Sequence, residues 1–252
     1  MKKSLKVKLI LPALASTLVL STALVPVSAM AATTPAVTIS NGSSSTQTSP
    51  TQLQQIIAKG NAAISERLTT LGNLVSVVNT TTNKLTTSDR AYLLAEINSE
   101  QSGLSTLQTK LDGEVTVSAA KTDYQNIFLQ YRVYALVVPK VTMVKAADDQ
   151  QATETKLSNL SGKLQVRIND ESTAGKNVSQ EQSWLNSMES DTSNAQSISS
   201  SIEESVLTLQ PSQYDANHAI LSGDFNQLKQ AKSDNQSAYN YAKEIVSALK
   251  SM

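Results

Sequence analysis

The amino-acid sequence predicts an all-α fold, namely an elongated antiparallel bundle of five or six long helices with coiled-coil-like seams, preceded by a disordered tether. Apolar residues recur at steps of three and four from residue 51 to the C-terminus. This spacing lines one face of a helix, whereas a strand would need strict alternation. The chain has no cysteine, which excludes disulfides and thiolate metal sites. Helix packing must therefore provide the stability of the fold.

The first 31 residues have the layout of a bacterial-type secretory signal peptide. An uncharged apolar stretch from Leu9 to Val27 follows a lysine-rich start, and Ala29-Met30-Ala31 places small residues before a cut at Ala32. The apolar stretch is only slightly shorter than the ~20 apolar residues that a membrane span needs. An uncleaved membrane anchor is therefore the alternative. We expect no later segment to approach membrane length, and hence a soluble chain with no stable membrane insertion after signal cleavage.

Residues 32–50 form the predicted linker, and residues 51–252 form the predicted helical bundle domain. The linker is rich in serine, threonine and proline and holds almost no side chain that a core could bury. Such a segment cannot offset the entropy that ordering would cost. We therefore expect residues 32–50 to be disordered.

Two helices open the bundle domain. The first is predicted to end at about Asn83. One face of it is lined by residues spaced three and four apart: Leu53, Ile57, Gly60, Ile64, Leu68, Leu71, Val75 and Val78. Thr86, with Asp89 three residues later, can cap the second helix, which Asp112-Gly113 ends. The seam of this helix has Glu100 as its one polar member beside Leu93, Ile97, Leu104, Leu107 and Leu111. The short connection between these two helices predicts that they form an antiparallel pair.

The third segment contains the main aromatic concentration and a proline. Tyr124, Phe128 and Tyr131 are spaced as on one helix face, and burial in the core is the preferred interpretation. A binding platform is the alternative, with Tyr131 and Tyr134 as candidate interface residues. Pro139 must kink or break its helix, because it lacks an amide proton and its ring crowds the preceding turn.

The last two helices follow the most regular pattern. After a loop predicted at residues 170–175, positions 178–209 and 214–249 keep the spacing of coiled-coil seams. Some seam positions are polar: Thr192, Ser199, Asn217, Asp224 and Asn235. An unpaired buried polar group costs about 1–3 kcal/mol. We therefore expect the polar positions to loosen the last helix, and Asn235→Leu to raise stability by about 1 kcal/mol.

Two segments resemble stretches of uncharacterised exported helical-bundle proteins of bacteria. They are Tyr131-Arg132-Val133-Tyr134-Ala135-Leu136-Val137-Val138-Pro139-Lys140 and Tyr214-Asp215-Ala216-Asn217-His218, with Leu221 following. The resemblance covers much of the chain after the signal but attaches to no named family, activity or ligand. It implies the helical architecture alone.

Charge and residue types exclude several classes of function. Four of the 21 basic residues and none of the 21 acidic residues precede Ala32, so cleavage there leaves a net charge of −4. This argues against nucleic-acid binding, which needs clustered lysine and arginine. His218 is the single histidine, and Asp215 lies three residues before it. A metal site in a bundle needs a second such pair, so a helix-start role is preferred. We predict no catalytic residue, metal or cofactor.

The predicted function is that of an exported structural or protein-interaction module, which performs no catalysis. Its expected partner is an unknown cell-envelope or extracellular protein, met in the bacterial cell envelope or the medium. Trp184, one residue from the seam position Leu185, is the third candidate interface residue beside Tyr131 and Tyr134. A lipid- or amphiphile-binding helical carrier is the alternative, and an enzyme of unknown type ranks third.

Overall fold

The computed structural model describes residues 51–252, and 88% of these residues are helical, with no strand among them. Six helices pack against each other, and a helix of four residues lies between the last two of them, so the predicted all-α bundle is confirmed for this part of the chain. The predicted signal peptide at residues 1–31 and the predicted linker at residues 32–50 lie outside the described residues.

The helices follow one another with short connections. In chain order they are α1 (Gln52–Asn79), α2 (Thr87–Asp112), α3 (Val117–Leu129), a π-helical turn (Val133–Val137), α4 (Val138–Thr173), α5 (Ser179–Leu207), a 3-10 turn (Pro211–Gln213), α6 (Tyr214–Asn217) and α7 (Ala219–Ser251). The predicted loop at residues 170–175 begins later, because α4 continues to Thr173.

Side-chain caps explain where the first helices begin and end. Thr86 accepts a hydrogen bond from the Asp89 amide at 3.1 Å, so the predicted start of α2 is confirmed. The end of α1 comes earlier than predicted, at Asn79. Asn83 folds back instead, and its Nδ2 donates to the carbonyls of Val77 at 2.9 Å and Val78 at 3.1 Å. These bonds satisfy carbonyl groups that a helix end leaves free.

Two apolar cores follow one another along α4. The first joins α1, α2 and α3 to the start of α4, and it also includes Ile202 and Val206 near the end of α5. The second joins the end of α4 to the start of α5 and to the C-terminal half of α7. The start of α5 packs against the C-terminal parts of α4 and α7, and its end packs against their N-terminal parts. Helix α5 is therefore antiparallel to both. With 36 residues, α4 is about 54 Å long and reaches both cores.

A layer of buried polar side chains separates the two cores. We call it the polar layer: Gln150 and Glu154 of α4, Ser199 of α5 and Asn235 of α7. Glu154 Oε1 accepts hydrogen bonds from Ser199 Oγ at 2.9 Å and from Asn235 Nδ2 at 3.2 Å. Asn235 Nδ2 also donates to Gln150 Oε1 at 2.8 Å. The layer therefore links all three helices by hydrogen bonds.

The predicted seam positions of α5 from Glu181 and of α7 from Asp224 are buried, and the loosening expected from their polar members stays a prediction. Nine positions of the α5 seam, from Glu181 to Leu209, are buried, as are those of α7 from Asp224 onward. Asn235 is bonded within the polar layer, Thr192 Oγ1 donates to the Met188 carbonyl at 2.8 Å, and Asp224 accepts from Ser205. Asn235 is satisfied only in part, because its Nδ2 has two acceptors whereas its Oδ1 is buried without a hydrogen-bond partner.

The break expected around Pro139 lies just before it. The chain leaves helical geometry at residues 130–132, where Arg132 has a φ of 44°. The π-helical turn then leads into α4, whose second residue is Pro139. Pro139 is the seventh residue of a continuous helical run that begins at Val133, and the wider π-turn directly before it accommodates the proline ring.

One helical stretch among the described residues has the length and composition of a membrane span. Within Val117–Thr173, an 18-residue window has a mean hydropathy of 1.3, and 44% of that window is buried. The expectation that no later segment approaches membrane length is therefore wrong by this criterion. Because core helices of soluble proteins pass the same test, the stretch is weak evidence for a membrane span. Its residues Val133, Val137 and Val141 belong to the first core.

Candidate interaction surface

An arginine lies between two aromatic rings on the side of the bundle where α1, α3 and the π-helical turn meet. The guanidinium of Arg67 is 4.5 Å from the ring centre of Phe128 and 5.0 Å from that of Tyr134. Such contacts between a cation and a ring face are attractive, more so when water is excluded. We call Arg67, Phe128 and Tyr134 the arginine–aromatic cluster.

Further contacts fix the cluster in place. The hydroxyl groups of Tyr134 and Thr70 are hydrogen-bonded at 3.1 Å. Tyr124 packs edge-on against Phe128, with ring centres 5.2 Å apart. Arg67 Nη1 donates to the Ala63 carbonyl at 2.9 Å. The side chains are thus held in one arrangement before any partner arrives.

The cluster combines exposed rings with a positive charge that no acid neutralises. Tyr134 is 47% exposed and Phe128 is 38% exposed, and Leu129 beside them is 56% exposed. Arg67 forms no ion pair with any described acidic residue, and Nη1 makes the one hydrogen bond seen for its guanidinium within residues 51–252. Burial lowers the pKa of Arg67, against the opposing effect of Tyr134 and Glu66. Arg67 itself is 7% exposed, so only a small part of this residue reaches solvent.

The three candidate interface residues have different surroundings. Tyr134 belongs to the exposed cluster, whereas Tyr131 is half-buried against the first core. The ring of Tyr131 covers Gly103 so closely that a Cβ there would lie 2.5 Å from Cε1. Trp184 is half-buried against the second core, on another part of the bundle. The structure therefore brings Tyr131 and Tyr134 into the same segment and leaves Trp184 apart from them.

Sequence reasoning misplaced one member of the cluster and missed another. Phe128 was expected in the core, but the buried face of α3 consists of Ala120, Asp123 and Ile127, so Phe128 points outward. Arg67 was overlooked although a signal for it exists. The buried positions of α1 alternate strictly by four and three, and Arg67 falls on one of them between Ile64 and Leu71.

A second polar site, the Lys140 junction, is built around a buried lysine. Lys140 is fully buried, and its Nζ lies 2.8 and 2.9 Å from the two carboxylate oxygens of Glu96. Nζ also donates to the Leu209 carbonyl at 2.6 Å, just beyond the end of α5. The Tyr92 hydroxyl donates to the neighbouring Leu207 carbonyl at 2.8 Å. The junction fastens α2, α4 and the end of α5 together.

Glu100 lies one helical turn beyond Glu96 and has an altered acidity. Burial, with the nearby negative charge of Glu96, raises the pKa of Glu100 to about 7, although Lys140 opposes the rise. Its Oε2 is buried without a hydrogen-bond partner. Burial, together with Glu100, also raises the pKa of the Tyr131 hydroxyl. Packing and neighbouring charge therefore explain the altered acidity of both groups.

His218 and Asp215 are engaged separately. Asp215 pairs with Arg132 at 2.7 Å, and Arg132 also lies 4.6 Å from the ring centre of Tyr214. His218 is exposed and stacks on Tyr214 with ring centres 5.3 Å apart, and its Nδ1 lies 3.1 Å from the Tyr214 carbonyl. Within residues 51–252 no serine hydroxyl is hydrogen-bonded to His218.

A groove of about 210 Å³ lies between α4 and α5. Hydroxyl, amide and carboxylate side chains line it: Ser158, Ser161, Glu189, Thr192, Ser193 and Gln196. Ser161 donates to Glu189 across it. A groove with such a lining suits water or a small polar molecule better than an acyl chain.

No protein-family model matches the chain, and searches of the curated proteins and of the solved structures give no match.

Proposed function

We propose that the protein is an exported structural or protein-interaction module that acts outside the cytoplasmic membrane and performs no catalysis. Export is supported by the lysine-rich, apolar start and the small residues before Ala32. The observation that carries the binding role is the arginine–aromatic cluster, where exposed rings flank a positive charge that no acid in residues 51–252 neutralises. The site of action is the cell envelope or the medium.

The proposed partner is an envelope or extracellular protein that presents an acidic side chain among apolar ones. Tyrosine, phenylalanine and arginine are enriched at protein interfaces, and arginine and tyrosine are frequent hot spots. A carboxylate from the partner would have to reach Arg67, which is 7% exposed, to accept hydrogen bonds from its remaining donors. The exposed rings of Phe128 and Tyr134 would contribute apolar area on both sides of this contact.

The proposal includes a coiled-coil character for α4, α5 and α7. Their buried positions keep the alternation of three and four that supercoiled helices share.

The test is capture of partner proteins from the cell surface by the purified chain. Variants of the chain show whether capture depends on the arginine–aromatic cluster or on another part of the bundle. Tyr134→Ala and Phe128→Ala should abolish capture of any specific partner, since both rings are exposed and their removal leaves the cores intact. Val166→Ala, at a 61% exposed position on α4, is the matched control and should retain capture. Equal capture by all three variants would contradict the proposal.

A lipid- or amphiphile-binding carrier is the second candidate, favoured by the span-like composition within Val117–Thr173. A carrier must expose the apolar side chains that now form the cores. Addition of vesicles should then change the helix content or the hydrodynamic size of the chain. An interaction module should ignore the vesicles, so this measurement separates the two candidates.

A further inference from the structure

Three carboxylates from three different helices meet close to the polar layer. Asp89 comes from the first turn of α2, Asp148 from α4 and Glu203 from α5, and one oxygen of each lies within 4.8 Å of the others. Asp89 and Asp148 are buried, whereas Glu203 is partly exposed to solvent. We call these three residues the carboxylate triad.

No positive side chain balances the triad. Within residues 51–252, no lysine or arginine lies at ion-pair distance from Asp89, Asp148 or Glu203. The nearest ion pair uses Lys145 on the adjacent Asp149, at 2.7 Å. Buried charges are normally paired or bound to metal ions, because burial of an isolated charge is costly. The triad thus lacks the compensation that Lys140 and Glu96 give each other.

One oxygen of the most deeply buried member has no partner. Asp148 is 2% exposed; its Oδ2 accepts from the Thr86 amide at 2.9 Å, whereas its Oδ1 is buried with no hydrogen-bond partner. The other members are oriented by neutral groups. The Thr86 hydroxyl donates to Asp89, and Gln151 Nε2 donates to Glu203 Oε2 at 2.6 Å. A buried acceptor without a donor requires an explanation.

We propose that the carboxylate triad binds a hard divalent cation, Ca²⁺ in preference to Mg²⁺, which takes Asp148 Oδ1 as a ligand. Ca²⁺ accepts six to eight oxygen ligands in flexible geometry at about 2.3–2.6 Å. Two oxygens on one such ion can be up to about 5 Å apart, which the separation in the triad satisfies. Water would complete the coordination from the partly exposed side of Glu203.

The acidity of Asp148 reflects its burial among other carboxylates. Burial, with the nearby carboxylates of Asp89, Glu203 and Asp149, raises its pKa to about 7. Without a cation, the folded chain must hold a proton there or bear the repulsion. With a cation, α2, α4 and α5 would be joined through one ion. The prediction of no metal, drawn from the sequence, considered His218 and did not detect this group, because its members are up to 114 positions apart in a chain of 252 residues.

Equilibrium dialysis of the full chain against CaCl₂ tests the proposal, after treatment with a chelator. One Ca²⁺ should bind per chain at pH 7.5, and Glu203→Gln should weaken binding about tenfold or more, since affinity follows the number of charged ligands. Glu204→Gln changes an exposed acid next to it and should bind as the parent does. Absence of Ca²⁺ binding, tighter binding of Mg²⁺, or equal binding by the two variants would overturn the proposal.

Thermal unfolding of Asp148→Asn provides a second measurement. In EDTA this variant should unfold at a higher temperature than the parent, because it removes one of three repelling charges. In CaCl₂ the parent should gain stability and the variant should gain little. A parent chain whose unfolding temperature is the same in EDTA and in CaCl₂ would also overturn the proposal.

Discussion

The Lys140 junction and the polar layer both bury an ionisable side chain, but by different means. Lys140 is met by an opposite charge on Glu96 and by carbonyl oxygens at the end of α5. Glu154, which is 1% exposed, is met by the neutral groups of Ser199 and Asn235, and its Oε2 has no partner. Burial accordingly raises the pKa of Glu154.

The difference teaches how each region depends on its partners. At the junction, loss of Glu96 would leave Lys140 buried and unpaired, and loss of Lys140 would leave the partly buried Glu96 and a buried carbonyl without their donor. Removal of one partner from such a pair is among the costliest changes in a protein. In the polar layer, hydrogen bonds between neutral and acidic groups fix which residues of α4, α5 and α7 face each other. We expect a smaller loss there and a dependence on pH.

The largest effect is expected for Lys140→Met. The substitution keeps the length of the side chain but leaves Glu96 and the Leu209 carbonyl without their donor. The free energy of unfolding in urea should fall by about 3–5 kcal/mol. Lys145→Met is the matched control, because Lys145 forms a more exposed pair with Asp149. It should cost less than about 1 kcal/mol. Similar losses of stability for the two variants would mean that the buried Lys140 pair is no more important to the fold than the more exposed Lys145 pair.

A smaller loss is expected for Asn235→Leu, contrary to what the sequence predicts. The leucine would remove the hydrogen bonds to Gln150 and Glu154 and leave their buried oxygens short of donors. Stability in urea should fall by about 1–3 kcal/mol. Asn226→Leu, at an exposed position of the same helix, should change it by no more than about 0.5 kcal/mol. A gain from Asn235→Leu would mean that the polar layer weakens the fold.

The smallest effect concerns pH. Because the pKa of Glu154 is higher in the folded chain than its ordinary value of 4.5, the folded state retains a proton that the unfolded state loses. Stability is therefore highest below pH 4.5 as far as this group is concerned, and falls as pH rises from there through the raised pKa, by up to about 1.4 kcal/mol per unit.

Glu154→Gln should reduce that slope, since the amide resembles the protonated acid. The remaining dependence of stability on pH would come from Glu100 and Asp148, each of which has a pKa of about 7. Urea unfolding at several pH values between 4.5 and 8 measures it. An unchanged slope would show that Glu154 is ionised in the folded chain.

Local patterns in the sequence predict much of this fold. The cap at Thr86, the leucine seam of α2 and the buried positions of α5 and α7 all follow from spacing and residue type within one helix. Such features need no knowledge of the neighbouring helices. They were therefore predictable from the sequence alone.

Features that depend on the neighbouring helices were not predictable in this way. Lys140 stands among valines, and its sequence neighbourhood shows no partner that would predict burial of its charge. Its partner Glu96 lies 44 positions away. Phe128 has a core-like spacing and yet faces solvent, because Ile127 takes the inward position on α3. In the candidate surface, Tyr134 could be nominated from the sequence, whereas its contact with Arg67 arises from the packing of the π-helical turn beside α1.

Hydrogen exchange tests the central claim most directly, namely that the polar layer holds α7 as firmly as the leucine seam holds α2. Amide exchange should be measured across the whole chain by mass spectrometry at neutral pH. We predict comparable protection for residues 224–249 and residues 93–111, because the polar seam positions of α7 are hydrogen-bonded to α4 and α5. Much faster exchange in residues 224–249 would contradict the account and identify α7 as a loosely held helix.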